Sequence, residues 1–186
     1  MLVIEPCILN SDVFPYAQKL GYNLTFAEDG KVGIKRITIR TDSIDALRRT
    51  LANLKRERKQ LIFIKPLSLD SLRYSIIDKR VNVIVIDGEN IKVLKKTMLN
   101  LIRFHNKFVE VPLKSSRIVV YRMLMYAYKW IPNVIFSSYA EDYNELWSPI
   151  SKIDYLNILG ADEEEAFKFA LLNPIKLLNE YMAIRT

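Results

Sequence analysis

Histidine, cysteine and glycine are scarce in this 186-residue chain, and each shortage excludes a class of chemistry. Cys7 is the lone cysteine, so no internal disulfide can form, which fits a reducing, cytoplasmic setting. It also lacks a basic neighbour or a helix start to activate it, and a buried strand thiol is expected. His105 is the one histidine, so a His-rich metallohydrolase site is excluded. Any Ser–His–Asp triad would have to recruit that same ring. The five glycines form neither a Walker-type P-loop nor a GxGxxG fingerprint, leaving nucleotide binding without a motif. Apolar runs such as Leu61 to Ile64 fall far short of the ~18 residues of a membrane span. The apolar start, Met1 to Leu9, has no basic leader and contains Glu5 and Pro6, so it reads as a first strand rather than a signal peptide. Glycine and proline are scattered, with no linker and no repeat, and residues 1–186 read as one domain.

Positive charge, by contrast, is plentiful and unevenly placed. Residues 31–129 carry 23 Lys or Arg against 8 Asp or Glu, whereas residues 1–30 carry 1 against 4 and residues 130–186 carry 4 against 9. A basic centre between acidic ends can steer one face toward a polyanion. The same charges also serve simply to solvate helices, so charge alone leaves both readings open.

Short β-branched runs alternate with helix-like stretches along nearly the whole chain. The strands are expected at Leu2–Ile8, Asn23–Ala27, Gly33–Arg40, Leu61–Lys65, Val81–Asp87, Phe108–Leu113 and Asn133–Ser138. Helical patterns fall at Ser11–Leu20, Asp42–Lys59, Leu69–Lys79, Asn90–Asn106, Ser115–Trp130, Ser148–Leu159 and Glu163–Glu180. This alternation predicts an α/β fold with a mainly parallel sheet, open or closed into a barrel. Within 42–59, Asp42 is the expected N-cap, with Asp45 behind it. Ile44, Leu47, Leu51 and Leu54 make an apolar stripe, and Arg48, Arg49, Lys55, Arg56 and Lys59 a basic flank partly balanced by Glu57. The 115–130 stretch is apolar around most of its circumference, broken by Arg117, Arg122 and Lys129, as in a helix deeply packed or partly covered by another subunit. An arginine in such surroundings needs an anionic partner or a route to solvent.

Barrel enzymes carry their catalytic groups at the C-terminal ends of strands. Here those positions hold Arg40, Lys65, Asp87, Lys114 and Ser137, more a phosphate-binding rim than an acid/base site. Asp87 and Glu110 are the acids a Mg²⁺ ion would use, but isolated acids more often cap helices or form salt bridges.

Four ordered segments stand out: Leu72-Arg73-Tyr74-Ser75-Ile76, then Arg80-Val81-Asn82-Val83, Arg117 to Arg122 with Ala127 and Lys129, and Val134-Ile135-Phe136-Ser137-Ser138-Tyr139-Ala140. As a set they resemble archaeal ribonuclease P protein component 3. Pro149 with the helix to Leu159-Gly160, and Asn173-Pro174-Ile175-Lys176-Leu177-Leu178, complete the pattern across about residues 61–180. The N-terminal third is similar by pattern only.

The resemblance implies a ten-segment barrel related to the TIM barrel. It implies a subunit of the enzyme that removes the 5′ leader from precursor tRNA, in which the RNA, using its own Mg²⁺, cuts the phosphodiester and the chain binds no cofactor. It also implies partners: the ribonuclease P RNA, a small subunit of RRM-like fold in a heterodimer or heterotetramer, the other ribonuclease P proteins and, indirectly, precursor tRNA. Arg40, Lys65, Arg73, Lys114, Arg117 and Arg122 are then the expected phosphate contacts, and Tyr121, Met125, Tyr128 and Lys129 the expected subunit contact. Two departures stand out: the 112–117 connection is short, and Trp147 stands where relatives often have Arg. The acidic loop at 141–151, with Glu141, Asp142 and Glu145, is expected to face protein or solvent. Two rival readings stay open, a degenerate metal-dependent phosphoesterase of similar fold and a protein-binding scaffold.

Overall fold

The computed structural model describes residues 2–54 and 60–183. Seven strands form on the seven β-branched runs: β1 (Ile4–Ile8), β2 (Leu24–Ala27), β3 (Ile34–Thr41), β4 (Gln60–Pro66), β5 (Val83–Val85), β6 (Phe108–Pro112) and β7 (Val134–Ser137). Each pairs in parallel with the next, in chain order. The two edges then meet. Ile8 bridges Ala140, the Leu9 N–H donates to the Ala140 carbonyl at 2.8 Å, and the Ala140 N–H donates to Cys7 at 3.3 Å. The result is a nearly closed TIM-barrel-like wall. It has seven strands among the described residues rather than the ten segments the resemblance implied, and the β1–β2 register shifts between Glu5 and Ile8 near the seam.

The helices are α1 (Phe14–Lys19), α2 (Ile44–Asn53), α3 (Leu69–Ile77), α4 (Lys96–Phe104), α5 (Arg117–Lys129), α6 (Pro149–Ile158), α7 (Glu163–Phe167) and α8 (Asn173–Ala183). Three expectations need correction. The N-cap of α2 is Ser43, not Asp42: the Ser43 hydroxyl accepts the Ala46 N–H, and extended backbone at Leu54 ends the helix early. Lys55, Arg56, Glu57 and Lys59 lie outside the described residues. The 90–106 helix starts only at Lys96, because the buried Asn90 amide donates to the Pro66 and Val85 carbonyls and ties a 3₁₀ turn, Ile91–Val93, against the wall. The 163–180 helix is interrupted by a π turn at Lys168–Leu172. Pro174 cannot donate to Ala170, and the wider turn gives its ring room. Among the described residues no helix is long and apolar enough to cross a membrane.

Alternate strand residues face inward and outward. Outward residues such as Ile84, Ile86, Val109, Val111, Val134 and Phe136 pack under α3–α6 in the larger apolar layer. Inward residues Ile4, Phe26, Ile34, Leu61, Phe63, Val83, Val85, Phe108 and Ile135 fill the barrel. Leu177 and Tyr181 of α8 join them and close the N-terminal end, where the Tyr181 hydroxyl accepts the Gln60 N–H. The plug leaves the C-terminal mouth as the open end, and every strand-to-helix connection delivers a helix N-terminus there.

Candidate nucleic-acid interface

β3 and β4 deliver Arg40 and Lys65 side by side to the C-terminal rim, and Asp87 follows two residues after β5. They arrive as an ion network rather than as free cations. The Lys65 ammonium lies 2.6 Å from Asp87 and 2.8 Å from Glu89, and Arg40 also pairs with Glu89. Burial works against the Lys65 charge, but its hydrogen bonds to Asp87 and Glu89 hold its pKa above the usual lysine range. Arg40, then Lys65, hold the Glu89 carboxyl down to about 2. Lys114, after β6, sits 3.7 Å from Glu145 and 5.1 Å from the Tyr139 ring centroid. Lys65, Glu89, Lys114, Ser115 and Tyr139 help line a depression of about 380 Å³ at this mouth. The Ser115 hydroxyl is buried there without a hydrogen-bond partner in the chain.

The other three expected arginines behave differently. Arg73 on α3 and Arg117 and Arg122 on α5 are exposed and make no ion pair among the described residues. Arg117 opens α5 at the rim, and Arg73 lies about 6 Å down α3 from its first residue. The internal acids weighed as their partners are already engaged: Glu110 by Arg36 and Asp87 by Lys65.

Beneath the rim the barrel axis holds a charge pair that sequence reasoning missed. Arg36 is fully buried and commits all five of its N–H bonds. Two go to Glu110 at 2.8 Å each, one to Glu28 at 3.0 Å, one to the Pro6 carbonyl and one to Thr38. Its guanidinium stacks 3.8 Å from the Phe63 ring centroid, and the ring of Tyr139, a residue with φ 55°, lies 5.4 Å away. Burial, opposed in part by the Arg36 charge, pushes the Cys7 thiol well up, as expected of an unreactive strand cysteine. Where a barrel enzyme would present polar groups to substrate, this arginine has no donor left. Among the described residues no three His, Cys, Asp or Glu side chains cluster as metal ligands do. Glu89 was missed as well, though its place two residues after Asp87, just past a strand end, was a usable signal.

No protein-family model matches the sequence, and no curated protein matches it. Among solved structures, a chain in the cryo-EM structure of archaeal ribonuclease P with mature tRNA superposes with a TM-score of 0.73. The match covers 100% of this chain and 91% of that chain at 17% identity, a likeness of fold.

The expected subunit contact also resolves into parts. Tyr121 is exposed, and with Arg117, Ile118, Ile158 and Leu159 it lines a groove of about 370 Å³ between α5 and the end of α6. Met125 packs against the outer core. Tyr128 is engaged within the chain, accepting the Asp162 N–H at 2.9 Å and meeting Phe169 edge-on, and Lys129 lies over Trp130. Trp147 packs on Tyr155, donates its backbone N–H to Ser138 and accepts the Tyr22 hydroxyl, so it is committed to the wall rather than to a ligand.

Proposed function

We propose that this chain is a protein subunit of ribonuclease P, of the component 3 type, which binds and supports the catalytic RNA. The observation that carries the reading is a division among the residues of the resemblance. Most of them have work in the fold. Asn82 accepts the Ile62 N–H, Ser138 donates to Glu5, and Asn173 donates to the Pro132 and Val134 carbonyls. Arg73, Arg117 and Arg122 have none, and they lie exposed within the basic stretch of residues 31–129. The barrel likeness to a chain of the archaeal ribonuclease P supports the same reading. On it, these arginines and Lys114, with Arg40 and Lys65 on the rim, neutralise RNA phosphates, the arginines through two-pronged contacts. The RNA, with its own Mg²⁺, cuts the precursor tRNA. The groove beside Tyr121 takes the small partner subunit.

Reconstitution with ribonuclease P RNA and the partner proteins tests this: omitting the chain is expected to lower precursor-tRNA cleavage, most of all at low Mg²⁺. Arg117→Ala with Arg122→Ala should weaken RNA binding without unfolding the chain, since both side chains are exposed. If about six phosphate contacts form, log affinity should fall with log salt at a slope near −5, and the double variant should flatten it by between 1 and 2, roughly. Parental activity of that variant at low Mg²⁺ sinks the assignment.

The ion-paired rim allows a sharper test. Glu89→Gln releases Arg40 and leaves Lys65 one carboxylate fewer, so RNA affinity at low salt should rise about threefold or more and the slope should steepen by nearly one. Unchanged affinity and slope would remove Arg40 and Lys65 from the interface and leave the outer arginines as its core.

A further inference from the structure

We propose that the outer face of α4 is a second RNA contact, which holds a single-stranded segment with an unpaired base stacked on Phe104. The inference rests on the RNA-binding reading above and shares only Arg73 with the residues assigned there. Met98, Leu99 and Ile102 supply the buried face of α4. Lys96, Asn100, Arg103 and Phe104 recur at helical spacing on the opposite face, all exposed. Phe104 is 83% exposed, the most exposed large apolar side chain among the described residues. It adds nothing to the core. The His105 ring meets it edge-on at 5.2 Å and 82°, which restrains the ring in its outward position.

The charge around it points to the occupant. Lys95 and Lys96 open the helix, where the backbone dipole is already positive, with no acid in the first turn and no side-chain cap. That placement opposes folding. Neither lysine, nor Arg103 in the last turn, has an ion-pair partner among the described residues, and every exposed charge on the helix is positive. The neighbouring helix α3 adds Arg73 and the half-exposed Ile77. Lys96 and Phe104 stand about 12 Å apart along the axis. An aromatic face at one end of a row of cations matches a base at the end of a row of phosphates. A duplex keeps its base faces stacked inside and has nothing to offer Phe104. A single strand does.

The test uses the full chain with a labelled oligouridylate, a duplex RNA of equal length, and a strand carrying 2-aminopurine. Phe104→Ala should weaken single-strand binding by roughly tenfold, leave duplex binding unchanged, and leave the salt slope unchanged because no charge is lost. Phe104→Trp should keep the affinity, and 2-aminopurine quenching should occur with the parent and the Trp variant but not with the Ala variant. Unaltered single-strand binding by Phe104→Ala, or an equal loss on duplex, overturns the site. So does a variant that binds the strand normally yet fails to assemble with the partner proteins, which would make this face a protein contact. Salt-sensitive RNA binding by the parent alongside a neutral Phe104→Ala defeats this inference alone. A parent that binds no RNA defeats the underlying reading.

Discussion

Glu110→Ala is expected to lower stability by about 3–5 kcal/mol, seen as a fall in the urea midpoint with little change in its slope. The carboxylate takes two of the five N–H bonds of a guanidinium with no exposure to solvent, and no neighbouring group can replace it. Glu28 already holds the Nε–H and also accepts from Thr38, and the Phe63 and Tyr139 ring centroids lie 3.8 Å and 5.4 Å from the guanidinium carbon. The cost is therefore mainly that of leaving two buried guanidinium N–H donors unpaired and the Arg36 charge balanced by Glu28 alone. Arg36→Met with Glu110→Leu should recover most of the loss, since a matched apolar pair removes both desolvation penalties together. A single variant within about 1 kcal/mol of the parent would mean that water reaches Arg36. The same pair bears on function. It fills the part of the axis where a barrel enzyme would bind its substrate, which agrees with the proposal that RNA is met by the rim and the outer helices.

That pair marks the limit of what the chain discloses when read in one dimension. Val83–Val85 and its counterparts were legible as strands because β-branched runs of that length have few other uses, and a parallel barrel follows from their alternation with helices. Nothing in Lys35-Arg36, however, distinguishes a surface cation from one on the axis. The distinction appears only when closure brings Glu110, 74 positions away, opposite. Arg40 and Lys65 read as free phosphate ligands for the same reason: their acids come from a different strand end. The exposure of Arg73, Arg117 and Arg122 was legible because each lies out of phase with its helix's buried face, which local periodicity does reveal. The α2 cap moved by one residue because Ser43 and Asp42 are both good caps, and sequence alone does not rank their φ and ψ.

The seam between β1 and β7 carries the other large effect. Lys152→Met is expected to cost about 3 kcal/mol, because it leaves the buried Glu5 carboxylate without its ammonium partner at 2.6 Å. Glu5 keeps the N–H groups of Cys7 and Ser138 and the Ser138 hydroxyl, which holds the loss toward the lower end of the range for a broken buried pair. Its oxygens span an edge where strand pairing is reduced to one isolated bridge, so a side chain does here what a ladder does elsewhere in the wall. The damage should consequently begin locally. In the variant, the Leu9 and Ala140 amides should exchange with solvent far sooner than those in the long β3–β4 ladder, and the loop around Trp147, tied to Ser138 and Tyr22, should loosen with them. Uniform acceleration of both sets would show that the seam opens only when the whole barrel does. The proposed RNA contacts at Arg73 and Phe104, on the far side of the barrel, should survive the local opening. Selective loss of the contacts near Arg117 and Lys114 would then identify the seam as the element that holds the mouth in its binding shape.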